Sequence, residues 1–260
     1  MAVDGYVWRH IRIMPLEVGA WWLLLPALLS RGKLRNGQAS MGTQNELTLV
    51  IGNKSYSSWS LRPWLALRQA SADFQEIVVP LRQPDTKAML LTHGPSGKVP
   101  VLKHDGLVIW DSLAICEYVA ELYPDAGLWP ADRQARAIAR AAASEMHSGF
   151  TDLRRNLFMD LRTRHDVPER VAAAAGDIAR IQELWTDCRA RFGQGGPFLF
   201  GRFTLADAMF APVCVRMRGW GVELEPVSDA YVSAILDLPA MKEWTAAAAA
   251  EPWEIDYLTV

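Results

Sequence analysis

The 260-residue sequence predicts an α/β domain followed by an all-α domain. Three observations carry that prediction. From Leu47 to Leu122, short β-type runs and helical stripes follow the order β-α-β, then a short α, then β-β-α. A stretch holding Pro124, Gly127 and Pro130 then interrupts the chain. Beyond it the composition turns to alanine and arginine, with no strand signal of any length.

The elements follow in order. LTLVI at Leu47 to Ile51 is a short strand ended by Gly52-Asn53. Leu61, Trp64, Leu65 and Leu67 form the stripe of a helix to Ala70, with Pro63 in its first turn, where a missing N–H costs nothing. FQEIVV from Phe74 to Val79 is a second strand, and residues 84–94 form a short irregular or helical segment ending in His93-Gly94-Pro95. Val99 to Lys103 and Leu107 to Trp110 are strands joined at Asp105-Gly106, a signal for a tight hairpin. Asp111-Ser112 then opens a helix from Leu113 to Leu122. A parallel βαβ unit with an added hairpin makes a four-stranded mixed sheet, the arrangement of the thioredoxin fold. The expected organisation is an N-terminal extension at 1–45, a thioredoxin-like domain at 46–123, a linker at 124–131 and a helical domain at 132–260. In the last, helices are expected near 132–160, 168–192, 204–218 and 239–250.

Half of the residues are hydrophobic and 22% are charged, enough for a sizeable core. A net charge of −2 gives no electrostatic footing for nucleic acid. Cys116, Cys188 and Cys214 are odd in number and widely spaced, which excludes a disulfide scaffold and a tetrahedral zinc site. They read as buried apolar thiols in a reducing compartment, and the expected localisation is cytoplasmic.

The first forty residues differ from the rest. VGAWWLLLPALL, from Val18 to Leu29, is broken by Pro26 and too short to span a bilayer. With Arg9 and Arg12 ahead of it and Gln38-Ala39-Ser40 behind, it has the outline of a signal-peptide core. The competing reading is that the natural start is Met41 and that the extension is disordered or upstream translated sequence, with no structural role. No membrane partner is expected.

Four motifs then carry a resemblance: Ser57-Ser58-Trp59-Ser60-Leu-Arg-Pro at the first helix, Pro95-Ser96-Gly97-Lys98-Val99-Pro100 before the third strand, Trp110-Asp111-Ser112-Leu-Ala-Ile at the third helix, and Phe203-Thr204-Leu-Ala-Asp207 in the helical domain. In this order the chain from about Glu46 onward resembles the soluble glutathione S-transferase superfamily. Its motifs are closest to the serine-type members, including the zeta-like group. The resemblance implies glutathione as co-substrate, no metal, a homodimer, and a helical glutathione-transferase domain after the thioredoxin-like one.

It also implies roles. A hydroxyl at the first helix start donates to the thiolate of glutathione, lowering its pKa, and this role maps to Ser57 with Ser58 beside it. Ser55, Tyr56 and Ser58 are rivals, and any of Ser57, Ser58 or Ser60 also suits a plain helix cap. Val99, before a cis Pro100, offers its backbone to the cysteinyl unit, and Lys98 suits the glycyl carboxylate. Ser112 with the helix-start N–H groups holds the γ-glutamyl carboxylate, and Asp111 takes the ammonium. Thr204-x-x-Asp207 is a capping box, with Phe203 as its staple.

Trp59 stands where zeta-like relatives place a cysteine. That argues against a protein-bound mixed disulfide and weakens an isomerase reading. The second-substrate pocket is expected between the domains, from Trp59, His147, Phe150 and Arg154, the last three at helical spacing. A groove beside Trp59 and Phe150 suits a small apolar electrophile. The expected enzyme is thus a glutathione S-transferase. The alternatives are a glutathione-dependent, maleylacetoacetate-isomerase-like isomerase, a peroxide reductase, or a non-catalytic binding or regulatory protein of this fold.

Overall fold

A computed structural model describes residues 46–255, and the readings given to the first 45 residues lie outside it. The sheet is as expected. β1 (Leu47–Ile51) pairs in parallel with β2 (Phe74–Val78) through the crossover helix α1 (Ser58–Gln69). β3 (Val101–His104) runs antiparallel to β1, and β4 (Leu107–Trp110) antiparallel to β3, giving the order β2-β1-β3-β4. Asp105 and Gly106 both have positive φ, 47° and 80°, the pair a type I′ hairpin turn needs.

β1 is buried on both faces, which explains its unbroken apolar run. Val50 packs with Val79, Leu90 and Val101 on the side of α2 (Thr86–His93). Leu47, Leu49 and Ile51 join the main core, which includes Ile115, Cys116 and Val119 of α3 (Ser112–Leu122) and continues into the helical region.

That region differs from the expected four helices. The span expected as one helix at 132–160 is α4 (Arg133–Ser148) and α5 (Thr151–Asn156). They are separated at Gly149, where a Cβ would sit 2.8 Å from Glu145 O, and at Phe150, whose φ of 59° is left-handed. The 168–192 span is α6 (Pro168–Ala173) and α7 (Ala175–Phe192), parted at Ala174. α8 (Leu205–Gly219) and α10 (Pro239–Ala250) match expectation. α9 (Pro226–Leu236), with Tyr231, Val232 and Ile235 buried, was not foreseen. The linker holds a single 3-10 turn at Pro124–Ala126.

The site depends on how α1 meets the helical region. From Leu205 to Met217 every residue of α8 is buried, and α1 packs against both α8 and α10. Arg62 Nε of α1 donates to Met209 O of α8 at 3.2 Å. Trp64 meets Trp244 edge-on, centroids 5.0 Å apart, and Trp244 Nε1 donates to Lys54 O at 2.9 Å. The Thr204–Asp207 capping box forms, with Thr204 N donating to Asp207 Oδ2 at 2.7 Å and Leu199 N to Oδ1 at 3.1 Å. Phe203 itself packs edge-on against Phe198. The three cysteines are free and buried, and burial pushes the Cys116 thiol up to about 12.

Candidate active site

Two cavities lie beside the start of α1 and share Trp59 and Val99 as walls. The larger, about 480 Å³, is lined by Trp59, Ser96, Lys98, Val99, Pro100, Trp110, Asp111, Ser112 and His147. The smaller, about 280 Å³, includes Ser57, Ser58, Trp59, Val99, Arg154 and Arg216 in its walls. The expected site residues therefore come together from α1, the loop before β3, the start of α3 and the end of α4. Phe150 is the exception. It is buried in the main core and lines neither cavity, because the left-handed turn it makes carries it off the helical face expected to hold His147 and Arg154.

At α1, Ser57 occupies the N-cap position, yet its side chain makes no capping hydrogen bond. Its hydroxyl instead pairs with Ser60 Oγ at 2.7 Å, and Ser60 Oγ accepts from Gly52 N at 3.1 Å. The plain cap reading of Ser57 is thus replaced by a short hydroxyl chain. Ser55 is a poor rival: its hydroxyl donates to Ala248 O at 3.2 Å, and it lines neither cavity. Ser58 Oγ accepts from Arg216 Nη2 at 3.3 Å. Tyr56 lines the smaller cavity.

The Val99–Pro100 peptide bond is cis, as expected. At α3, Asp111 has a φ of 79°, an uncommon conformation for a non-glycine residue. Its Oδ1 accepts from Leu113 N at 2.9 Å and Ala114 N at 3.2 Å, so Asp111 is the helix cap. Its Oδ2 faces His147 Nε2 at 3.2 Å. Because Asp111 caps the helix, the buried Ser112 hydroxyl is left with no hydrogen-bond partner while lining the larger cavity. His147 therefore belongs to the larger cavity, with Lys98 and Ser112, where its ring meets Trp59 edge-on at 5.4 Å.

The smaller cavity is more cationic than the sequence suggested. Arg154 folds back over the end of α4, donating to Gly149 O at 2.9 Å and to the carbonyls of Met146 and His147. Arg216 Nε donates to Leu157 O at 2.6 Å. Trp59 carries the Arg62 guanidinium 4.2 Å and the Arg154 guanidinium 4.7 Å from its ring centroid. Burial, together with repulsion from Arg154 and Arg216, drives the Arg62 pKa well below its ordinary value. Burial also lowers that of Arg154. Sequence reasoning missed Arg216, although an arginine inside the apolar run VCVRM is the signal that marks it. It missed Leu81, Phe158 and Met159 as well, which reach the smaller cavity only through tertiary packing.

The fold and site set a thioredoxin-like N-terminal sheet region against a C-terminal helical region, with the starts of α1 and α3 lining paired cavities. The N-terminal domain pattern of glutathione S-transferases matches residues 56–122, and the C-terminal domain pattern of the same family matches residues 170–247. A probable maleylacetoacetate isomerase of Caenorhabditis elegans is 30% identical over 72% of this chain and 87% of its own length. Glutathione S-transferase 1 of Dianthus caryophyllus is 28% identical over 74% of this chain and 90% of its own. Among solved structures, a sphingomonad glutathione S-transferase complexed with glutathione aligns with a TM-score of 0.57 at 29% identity, covering 78% of this chain and all of that one. The chain belongs to the glutathione S-transferase family.

Proposed function

We propose that the larger cavity binds glutathione and that Ser57 holds its thiol as a thiolate for attack on a small electrophile in the smaller cavity. The observation that carries this reading is the unpartnered, buried Ser112 hydroxyl at the start of α3, in a cavity that shares the Trp59–Val99 wall with Ser57. A γ-glutamyl carboxylate supplies the acceptor that Ser112 lacks, and the dipole of the helix start favours the same charge. Asp111 and Lys98 offer charges of the sign that the ammonium and the glycyl carboxylate need. Val99 presents backbone to the tripeptide between them.

At the thiol, the chain from Gly52 N–H to Ser60 Oγ can continue from Ser60 O–H to Ser57 Oγ and end on sulfur. Each donor in such a chain polarises the next, so the thiolate receives a stronger hydrogen bond than an isolated serine gives. Catalysis is then thiolate stabilisation plus proximity. A glutathione-dependent isomerase uses the same thiol, and the similarity to a probable maleylacetoacetate isomerase favours it as the second reading. Calorimetric titration with glutathione, followed by a conjugation assay, tests the proposal. Binding with turnover supports it, and no binding by the wild-type chain overturns it.

The larger cavity borders an exposed edge. β4 ends the sheet, and Leu107, Val108 and Trp110 on it are exposed, as are Met89 and Leu91 of α2. We propose that a second copy of the chain covers this apolar strip, making a homodimer. Sedimentation as a dimer, weakened in Leu107→Glu, is the expected result. The three unbridged thiols support function in the cytoplasm.

A further inference from the structure

The loop between β1 and α1 sets where Ser57 stands, and every residue from Gly52 to Ser57 is buried. Buried backbone N–H groups need acceptors, and this loop supplies its own for only some of them. Asn53 O accepts from Tyr56 N at 3.1 Å and from Ser57 N at 2.8 Å, which closes the turn onto Ser57. Gly52 N donates to Ser60 Oγ, the start of the hydroxyl chain that ends at Ser57. The two amides inside the turn find their acceptor 197 and 196 residues away in the chain. Lys54 N donates to Glu251 Oε1 at 2.8 Å, and Ser55 N donates to Glu251 Oε2 at 3.4 Å. The Lys54 ammonium is engaged elsewhere, with Glu76 at 2.6 Å, so the Glu251 carboxylate is left to the backbone.

Glu251 is itself held. It follows α10 and precedes Pro252, which disfavours helical backbone at the residue before it, and its ψ of 139° is extended. Arg162 Nε and Nη2 donate to Ala248 O at 3.2 and 3.0 Å. Its Nη1 donates to Trp253 O at 3.0 Å, and its Nη2 also reaches Glu251 O. One guanidinium thus ties the last turn of α10 to the segment that carries Glu251. Ser55 Oγ donates to the same Ala248 O at 3.2 Å, and Trp244 Nε1 to Lys54 O at 2.9 Å, so α10 holds the loop at two further points.

We infer that Glu251 is a positioning residue for the thiol chemistry: its carboxylate fixes the turn that places the Ser57 hydroxyl at the glutathione sulfur. The inference rests on the proposed role of Ser57 at that sulfur. Glu251 lines neither cavity at the start of α1 and acts through Lys54 N, Ser55 N and the turn they belong to. Hydrogen bonds to a carboxylate are among the stronger ones, and two on one side chain fix direction as well as distance. A reacting group must be held within about 0.5 Å of its productive place, and hydrogen bonds weaken steeply off line. Without Glu251 the two amides must turn toward water, and Ser57 moves with them through Asn53 O.

The test is the pKa of the bound glutathione thiol, read by ultraviolet absorbance, with kcat and calorimetric glutathione affinity measured on the same full-length variants. Glu251→Ala is expected to raise that pKa by about half a unit to one unit, and kcat below it to fall about three- to tenfold. Glutathione affinity is expected to fall less than kcat. Glu251→Gln keeps one acceptor oxygen of two, and its thiol pKa is expected between those of wild type and Glu251→Ala. A purely structural role would lower the melting temperature and leave the thiol pKa where it was; that result overturns the inference. So does a loss of affinity as large as the loss of kcat. Should Glu251→Ala fail to fold, Glu251→Gln decides alone: a raised thiol pKa supports the inference, and an unchanged one overturns it. Ser57→Ala measured alongside separates the two readings. A rise there with none in the Glu251 variants overturns the inference alone, and no rise in Ser57→Ala overturns the thiol reading and the inference with it.

Discussion

Replacing Ser57 by alanine removes the donor proposed to face the thiolate. Ser57 is only 5% exposed, and its hydroxyl sits 2.7 Å from Ser60 Oγ, so water does not readily take its place. A hydrogen bond to a charged group contributes about 1.5–3 kcal/mol, and one pKa unit corresponds to about 1.4 kcal/mol. The thiol pKa of bound glutathione should therefore rise by about one to two units in Ser57→Ala. Below that pKa the ionised fraction, and with it kcat, should fall by about 10- to 100-fold. The assay is the ultraviolet absorbance of the bound thiolate titrated against pH, with glutathione affinity measured in parallel. The γ-glutamyl end is proposed to be held elsewhere, at Asp111-Ser112, so affinity should change far less than ionisation. A bound-thiol pKa equal in wild type and Ser57→Ala, with glutathione still bound, refutes the reasoning.

Ser60→Ala should cost about 1–3 kcal/mol of stability, because it leaves the Gly52 N–H buried without its acceptor, and should raise the thiol pKa less than Ser57→Ala does; urea unfolding and the same titration check both. Ser112→Ala should weaken glutathione binding about tenfold while leaving melting temperature nearly unchanged, since its hydroxyl has no partner to lose within the protein. Asp207 is pushed up by burial from 3.8 to about 6, so the folded chain holds this proton longer than the unfolded one. Its stabilising contribution is complete below the unfolded value and is lost as pH rises through about 6. Wild type should therefore lose about 2 kcal/mol relative to Asp207→Asn between about pH 4.5 and pH 7, a trend that denaturant unfolding across that range measures.

Much of the scaffold was readable because its signals are local. Asp105-Gly106 specifies its own turn, Thr204-x-x-Asp207 its own cap, and the apolar run of β1 reflects burial on both faces. Helix starts are local too, so the places of Ser57, Asp111 and Ser112 at the starts of α1 and α3 follow from their neighbours. The break between α4 and α5 was not, because Met146 and His147 before it and Leu153 after it continue a helical pattern that Gly149 and the left-handed Phe150 interrupt. α9 carries its signal in Tyr231, Val232 and Ile235 behind Pro226, a short stripe that Ser228, Asp229 and Ser233 weaken. The character of the smaller cavity was least legible. Arg154 and Arg216 lie 97 and 159 residues after Ser57 in the chain, by difference of their numbers; the packing of α1 on α8 brings Arg216 to Ser57, and the fold-back of Arg154 over the end of α4 brings it to the same space. The link from Ser57 to Ser60 to Gly52 likewise needs β1 and α1 already in place.

The central claim is that one tripeptide spans both helix starts, anchored at α3 and delivering its sulfur to α1. A crystal structure of the full chain grown with glutathione tests it most directly. The account predicts the sulfur within hydrogen-bond distance of Ser57 Oγ, the γ-glutamyl carboxylate on Ser112 Oγ, and the cysteinyl backbone on Val99. Glutathione bound with its sulfur against a different residue, or with Ser112 Oγ still unpartnered, would contradict it.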